Sequence, residues 1–446
     1  MSLFSLFLWI VTIFGLINFI HIGLFIAGAN IYDIRQIRRK HRISKRDPSD
    51  IYEPLVTVLV PAHNEEAGIV RTIDTINQST YRNIAIVVID DASSDKTSHL
   101  VRRYLREHAS KTTSRLVERG GQMVREFTRT GNLPPICLLT RPVNGGKAAG
   151  LNYALKYAVQ EGIVMTLDAD SMLDKHAIAN AVEYYRDEKV VGVAANVKIM
   201  QQRTVLGMLQ KFEHMIGYRS KKFYTLTNSE FIIGGVASTY RYETLKRVGF
   251  YDTDTATEDI GLSMKIAAEG NRENRLVYAA DVVASTEGVQ TYGSLLRQRY
   301  RWKMGSLQNL LKYRGLFGNT SSRYSRMLTF YRIPMAFLSE LMLLLQPLLI
   351  GYLLGLSLMH QTIGIWIGGY ITVTIYVLWT IWPDEHHTPR EKITLSLYAP
   401  MMYLCFFIMD SVQLNAIVRC AFNARKLTER SENHTWVSPE RVGAAA

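Results

Sequence analysis

Ile163-Val-Met-Thr-Leu-Asp-Ala-Asp-Ser171 is an apolar run that stops on two carboxylates. Its length, its β-branched content and the polar residues that close it mark a buried strand ending in a turn. The same pattern precedes it. Leu55-Val-Thr-Val-Leu-Val60 is closed by Pro61 and followed by a helical stretch over 66–78. Ile84-Ala-Ile-Val-Val-Ile89 ends on Asp90-Asp91 and leads into a helix over 95–108. Ile136-Cys-Leu-Leu-Thr140 is the next run, and a helix over 146–160 connects it to Ile163. Strand, polar turn and helix in repetition predict an α/β fold, a mainly parallel sheet with helices on its faces. In such sheets ligands bind at the carboxyl ends of the strands. The polar residues His63-Asn64-Glu65, Asp90-Asp91, Asp168 and Asp170 sit there. Residues 109–135 read as a polar, basic insertion with no assigned chemistry.

The carboxylates differ in what they ask for. Asp95 and Asp174, each at a strand-to-helix turn, read as helix caps. Asp168 and Asp170 are one residue apart at the end of a buried strand, where they repel each other unless a cation lies between them. A hard divalent ion shared with substrate phosphates is the usual solution, which makes Mg²⁺ or Mn²⁺ the expected cofactor.

Both ends of the chain are apolar. Residues 3–29 contain no Asp, Glu, Lys or Arg across 27 positions, residues 341–383 none across 43, and residues 393–409 none across 17. A bilayer crossing needs about 20 apolar residues. One N-terminal span and about three C-terminal ones are therefore expected, with a tight reversal near Met359–Thr362. A fully soluble protein is excluded.

The formal charge of +13 on 446 residues would suit nucleic acid, but its distribution excludes that partner. Residues 30–47 carry seven Lys and Arg against Asp33 and Asp47, and residues 297–332 carry nine with no acid. The rest of the chain is close to neutral. Both basic strips adjoin apolar runs, so their partner is the lipid surface. An apolar run followed by basic residues reads as a signal-anchor helix with its C-terminal flank in the cytoplasm. The second strip falls on the same side, which puts residues 54–325 or so in the cytoplasm of a multi-pass plasma (inner) membrane protein. Three unpaired cysteines, Cys137, Cys405 and Cys420, suit a reducing compartment.

Several segments then occur in a fixed order. Pro61-Ala-His-Asn-Glu-Glu66, Val88-Ile-Asp-Asp-Ala-Ser-Ser-Asp95, Asn144-Gly-Gly-Lys-Ala-Ala-Gly-Leu-Asn152 and Thr166-Leu-Asp-Ala-Asp-Ser171 come first. Gly234-Gly235, Thr257-Glu-Asp259 and Gln298-Arg-Tyr-Arg-Trp302 follow. In these motifs the chain resembles the family 2 inverting glycosyltransferases. It is most similar to their membrane-embedded processive branch, the poly-N-acetylglucosamine, chitin-oligosaccharide, hyaluronan and cellulose synthases. His63 and Ala92 depart from the Tyr and Gly frequent at those positions.

The resemblance implies a GT-A-type nucleotide-sugar-binding domain flanked by transmembrane and interfacial helices. It implies that Ala62, Glu65, Asp91, Lys147, Asp168 and Arg301 hold the nucleotide sugar, and that Asp170 meets its diphosphate through the metal. Asp259 becomes the general base, and Gly235, Glu258, Gln298 and Trp302 line the acceptor. Gln298 and Arg301 share a helix face at i, i+3, while Arg297, Arg299 and Lys303 read as membrane-surface residues. The expected layout is an N-terminal transmembrane helix over 1–30, a basic juxtamembrane linker over 31–53 and a cytoplasmic GT-A domain over 54–290. Basic interfacial helices over 291–330, C-terminal transmembrane helices over 331–420 and a tail over 421–446 follow.

The function so implied is polymerisation of a UDP-sugar onto a growing β-linked polysaccharide at the cytoplasmic face, with translocation. UDP-N-acetylglucosamine is the expected donor, because Thr-Glu-Asp resembles the N-acetylglucosamine and cellulose branches. Alternatives are a hyaluronan- or glucan-type synthase and a non-processive transferase acting on polyprenyl phosphate or ceramide. A channel with a degenerate transferase domain is disfavoured by the intact carboxylates. An accessory membrane subunit or a homo-oligomer is compatible with this layout. His386-His387 reads as a solvated loop, and Glu340 and Asp410 as functional candidates within or near the membrane. One conflict remains: three C-terminal spans put the mildly basic tail outside, against the positive-inside rule. A re-entrant segment over 393–418, or an interfacial one within 331–358, would resolve it.

Overall fold

A computed structural model describes residues 3–108, 111–119, 122–130, 134–200, 204–361 and 363–428. Residues 429–446 of the expected tail, Thr362 and parts of the 109–135 insertion lie outside them.

The first half of the catalytic domain follows the strand–helix repeat. Strands β1 (Val56–Ala62) and β2 (Ile84–Asp91) are separated by α1's successor α2 (Ile69–Asn77), where α1 is the N-terminal helix Leu3–Ser44. Helix α3 (Thr97–Glu107) and the hairpin β3 (Lys111–Arg119) and β4 (Gln122–Thr130) precede β5 (Ile136–Arg141), α4 (Lys147–Tyr157) and β6 (Ile163–Thr166). Strands β5, β2, β1 and β6 lie side by side and parallel. The 109–135 insertion adds the antiparallel β3–β4 hairpin outside β5.

Alternate residues of β1 explain why helices cover both faces. Val56, Val58 and Val60 pack with Ile69, Ile73 and Ile76 of α2 on one side. Leu59 packs with Leu151 and Leu155 of α4 on the other. In α2 the isoleucines recur at i, i+4 and i+7, one helical face.

The second half was less legible. It comprises β7 (Met172–Leu173), α5 (Ala177–Tyr184), β8 (Val190–Ile199), α6 (Val205–Leu226), β9 (Ser238–Arg241), α7 (Tyr242–Val248), α8 (Glu258–Ala268) and β10 (Arg275–Thr286). The sheet order is β3-β4-β5-β2-β1-β6-β9-β8-β10-β7, mixed but mostly parallel at its centre. Phe231-Ile-Ile233 reads by composition as a short strand ahead of Gly234-Gly235, but the strand here is β9 instead. Side chains take over the backbone of 231–233: Glu230 accepts from the Phe231 and Ile232 amides, Lys221 donates to the Ile232 carbonyl, and Ser263 accepts from the Ile233 amide.

Helix α1 runs unbroken through the basic strip and docks on this domain. Tyr32 is buried, with its hydroxyl donating to the Tyr278 carbonyl at 2.9 Å. Asp33 pairs with Lys222 at 2.6 Å. The C-terminal part contains α9 (Tyr292–Lys312), α10 (Ile333–Met359), α11 (Gly364–Ile381), α12 (Pro389–Tyr398), α13 (Met402–Phe422) and α14 (Arg425–Thr428). Among the described residues three helical stretches are long and apolar enough to cross a membrane, Gly15–Ser44, Met327–Met359 and Pro389–Phe422, and Trp366–Ile381 is a shorter apolar one.

Two assignments to the membrane surface are corrected. Arg299 is 1% exposed, paired with Glu213 and stacked 4.2 Å over the Trp302 ring. Lys303 bonds both oxygens of Glu340, at 2.9 and 2.7 Å. Sequence alone could not separate these from Arg297, which is exposed, because burial is decided by the helices α6 and α10 that pack on α9. Asp410 accepts from Gln346 at 2.6 Å, between α13 and α10.

The segment 389–422 starts and ends on the same body. Just before it, Glu385 pairs with Lys40 and Asp384 with Lys198 at 3.8 Å. At its far end Arg419 lies 4.6 Å over Tyr300, and Gln308 donates to the Lys426 carbonyl at 2.8 Å. This is the arrangement of a segment that returns to the face it left. Cysteines placed at exposed Ala424 and Lys189, each in a background lacking the native cysteines, are expected to react with an impermeant maleimide from the same side of a sealed vesicle. Labelling from opposite sides would show that 389–422 crosses.

Candidate active site

The strand ends bring together residues far apart in sequence. At the end of β1, His63 Nδ1 lies 2.9 Å from the Asp91 carbonyl, and Asn64 accepts from the Ser94 amide at 2.8 Å. Ala62 and Glu65 are buried beneath this turn. Asp95 and Asp174 are not the helix caps expected of them. They accept from the Thr97 amide at 2.9 Å and the His176 amide at 2.8 Å in the turns just ahead of α3 and α5, whose N-cap positions Lys96 and His176 hold. Asp90 accepts from the Ser93 amide at 3.0 Å.

Asp91 is engaged by the protein itself. Its carboxylate accepts from the Gly145 and Gly146 amides, at 3.1 and 2.8 Å, and pairs with Arg141. Burial pushes its carboxyl above the usual range, although Arg141 and the two amides oppose the shift. Asp91 thereby fixes the loop that starts α4, and with it Lys147. Arg141 was not singled out from sequence; it lies at the end of β5, where the strand-end rule could have found it.

Lys147 is the centre of the site. Its ammonium lies 2.6 Å from Asp168 Oδ1 and 3.3 Å from Glu258 Oε1. Burial works against its charge, but Asp168, Glu258 and Asp259 hold it above the usual lysine range. Gly235 leaves room for this contact: a Cβ there would fall 2.7 Å from Lys147 Nζ and 3.6 Å from Asp259 Oδ2. Asp170 is 3% exposed and accepts from Ser171 Oγ at 3.0 Å and Thr286 Oγ1 at 3.4 Å.

Glu258 and Asp259 open α8, where the helix dipole favours the anion. Asp259 accepts from the Ile260 amide at 2.8 Å. Burial, then repulsion from Glu258, nonetheless lifts Asp259 to about 6 from an ordinary 3.8.

The preceding loop is held by α9. Asn309 Nδ2 donates to the Thr257 carbonyl at 3.1 Å and the Gly305 carbonyl at 2.9 Å, and Gln308 accepts from the Ala256 amide at 2.9 Å. Gly305 lets the two backbones touch: a Cβ would fall 2.3 Å from Thr257 Oγ1 and 2.7 Å from the Thr257 amide. These three residues went unnoticed in the sequence. Their signal is spacing, since Gln298, Arg301, Gly305 and Gln308 form one stripe at i, i+3, i+7 and i+10. Arg301, on that stripe, is exposed and makes no hydrogen bond or ion pair among the described residues. Trp302 is half-exposed beside it, with one ring face covered by Arg299.

Lys147, Asp168, Gly235, Glu258 and Asp259 thus converge, with Asp91 behind them. Gln298 and Arg301 share the α9 face of Gly305 and Gln308 but make no hydrogen bond or ion pair to this cluster among the described residues. The sequence profile described as "Glycosyl transferase family group 2" matches residues 163–408, more than half of the chain, and that of "Glycosyl transferase family 2" matches residues 57–249. The chain belongs to glycosyltransferase family 2. Among relatives of this glycosyltransferase, poly-beta-1,6-N-acetyl-D-glucosamine synthase of Staphylococcus aureus is 28% identical over 298 residues, 66% of this chain and 64% of that one. The Staphylococcus epidermidis protein of the same name is 28% identical over 260 residues, 58% and 56% of the two chains. The match therefore spans less than two thirds of each relative's length. A mannosyltransferase from Pyrobaculum calidifontis, solved with GDP-Man and Mn²⁺, shares the fold: 21% identity, TM-score 0.51, covering 90% of this chain and 99% of that one. The expected GT-A-type α/β architecture is borne out.

Gly305→Ala is expected to push α9 off Thr257 and to cut sugar transfer at least about tenfold, since overpacking at such a contact costs roughly 1–3 kcal/mol. Gly315→Ala, where a Cβ meets nothing within 4 Å, serves as the control and should leave transfer unchanged. Equal rates for both variants would show that the α9 contact does not position Glu258 and Asp259.

Proposed function

We propose that this family 2 glycosyltransferase is a membrane-bound, inverting, processive synthase. It would add a UDP-sugar, UDP-N-acetylglucosamine by preference, to a growing β-linked polysaccharide at the cytoplasmic face and pass the product through its helices. The observation that carries this reading is the half-buried Lys147 held among Asp168, Glu258 and Asp259. Support for the donor and the product comes from the two staphylococcal synthases, at 28% identity.

The chemistry makes three demands. The donor must be held, the departing diphosphate neutralised and the acceptor hydroxyl deprotonated opposite the leaving group. Ala62 and Glu65 line the nucleoside side, with Asp91 behind them fixing the Gly145–Gly146 loop. Lys147 and Arg301 are the cations offered to the diphosphate, Arg301 through a bidentate fork. Gly235, Glu258, Gln298 and Trp302 border the acceptor, which keeps its attacking hydroxyl near Asp259. Asp259 takes the hydroxyl proton as the oxygen attacks the anomeric carbon and the bond to the diphosphate breaks. A base that titrates near 6 is ionised at neutral pH yet basic enough to accept a proton in the transition state.

The donor set also fits a divalent cation. Asp168 and Asp170 supply hard carboxylate oxygens at one strand end, and no cluster of three or more His, Cys, Asp or Glu ligands forms among the described residues. Mg²⁺ or Mn²⁺ would be held by Asp170, with Asp168, and would take remaining ligands from the diphosphate. When bound it supplies Lewis-acid stabilisation of the leaving group.

Asp259→Asn is expected to lower transfer at least about 100-fold, the range of a lost general base. The same variant should be as thermostable as the wild type or more so. A carboxyl raised in the folded state costs stability progressively as pH climbs from its ordinary 3.8 to its folded value of about 6, so the full cost is present at pH 7–8. In the wild type, kcat/KM should fall about tenfold per pH unit below about 6, where the base becomes protonated. Retained transfer in the variant, or a flat acid limb, would overturn the role of Asp259.

A further inference from the structure

A cavity of about 270 Å³ lies where α1, α6 and the 382–388 loop meet, away from the catalytic residues. Lys40 of α1, Lys198 of β8, Lys211 and Arg219 of α6 and His387 of the loop contribute to its walls. Helix α6 separates it from the catalytic side. Lys211, His214, Tyr218 and Lys222 face the cavity, whereas Glu213 reaches Arg299 of α9 and Lys221 holds the Ile232 carbonyl. His387 is 6% exposed here, which corrects the expectation of a solvated loop.

The charges around this cavity do not balance. Each carboxylate in its wall has a cation: Asp33 with Lys222 at 2.6 Å, Asp384 with Lys198 at 3.8 Å, Asp281 with Arg39 at 3.5 Å, and Glu385 with Lys40. Lys211 and Arg219 have none at ion-pair distance; Glu391 and Asp384 act on Lys211, and Asp33 on Arg219, only from farther away. Lys211 is 4% exposed and makes no hydrogen bond or ion pair among the described residues. Arg219 is 2% exposed and donates only to the neutral Trp379 carbonyl and Asn30 side chain, at 2.9 and 3.3 Å. Burial lowers the Lys211 ammonium to about 8 and the His214 and His387 imidazoles to about 4. At pH 7 the lysine is therefore charged and the histidines are neutral. A buried charge without a counter-ion in direct contact is costly unless something supplies one.

We propose that this cavity binds a phosphate mono- or diester anion, with Lys211 as its principal counter-charge and Lys198 and His387 beside it. Arg219, two turns further along α6 and so about 12 Å away, serves the far end of a longer ligand. The cavity lies at the ends of the apolar helices α1 and α11, so the phosphate belongs either to a lipid headgroup or to a soluble ester. In both cases the anion would clasp α1 and the 382–388 loop to α6.

The test uses the full chain with saturating UDP, which occupies the catalytic phosphate site. Thermal unfolding is followed in neutral detergent with glycerol 3-phosphate or inorganic phosphate, and in nanodiscs of phosphatidylglycerol against phosphatidylcholine. At least one anionic probe should raise the wild-type Tm by 3 °C or more, and Lys211→Arg should keep that gain. A gain from the soluble esters assigns a soluble ligand; a gain from phosphatidylglycerol alone assigns a headgroup. Lys211→Met should lose the gain while being more stable than the wild type without probe, because it removes a buried charge that has no ion pair. The proposal is overturned if no probe stabilises the wild type, if Lys211→Met responds equally, or if that variant is less stable without probe.

Discussion

The interaction on which the rest of the structure depends is the pairing of one half-buried ammonium, Lys147, with carboxylates from two distant segments. Asp168 comes from the end of β6; Glu258 and Asp259 come from the start of α8. Unpaired buried carboxylates would repel one another and the fold would open there. With the lysine between them, they can be kept close enough to act on a single sugar. Much of the domain serves this convergence. Asp91 and Arg141 hold the glycine loop that aims Lys147, Asn152 brackets Tyr251 through both backbone groups, and α9 clamps residues 255–257 through Gly305, Gln308 and Asn309.

This frame couples the membrane part to the chemistry. Helix α9 touches Thr257 with one face, places Arg299 against Glu213 of α6 with another, and is flanked by α13 along its length. A displacement of α13 therefore reaches the Glu258–Asp259 turn through a single helix. The contacts of both ends of 389–422 with the catalytic domain bear on the conflict between span count and charge. If both of its ends lie on one side, Arg419, Arg425 and Lys426 fall with the other basic strips, in keeping with the positive-inside rule.

What was legible in the sequence was local. The runs ending at Ala62, Asp91 and Asp168 announce strand ends, and a parallel sheet gathers strand ends at one edge, so Asp91 and Asp168 could be grouped without coordinates, whereas Lys147 joined them only through the family resemblance. Asp259 needed the company of the other motifs, because Thr-Glu-Asp at a helix start is equally a cap. The rest was invisible because burial is decided by partners far away in the chain. Arg297, Arg299 and Lys303 look alike in a row, yet Glu213 and Glu340 draw two of them inward. The backbone of 231–233 reads as a strand until Glu230, Lys221 and Ser263 take its hydrogen bonds. His387 is buried only because α6 and α12 close over it.

Product length at low conversion tests the central claim most directly. The purified protein in nanodiscs would be given a large excess of UDP-N-acetylglucosamine with Mg²⁺ or Mn²⁺, and stopped when a small fraction of donor is consumed. The account predicts long, enzyme-digestible polysaccharide chains already present at that point, absent with Asp259→Asn. A single glycolipid, or products that lengthen only as donor is exhausted, would contradict it.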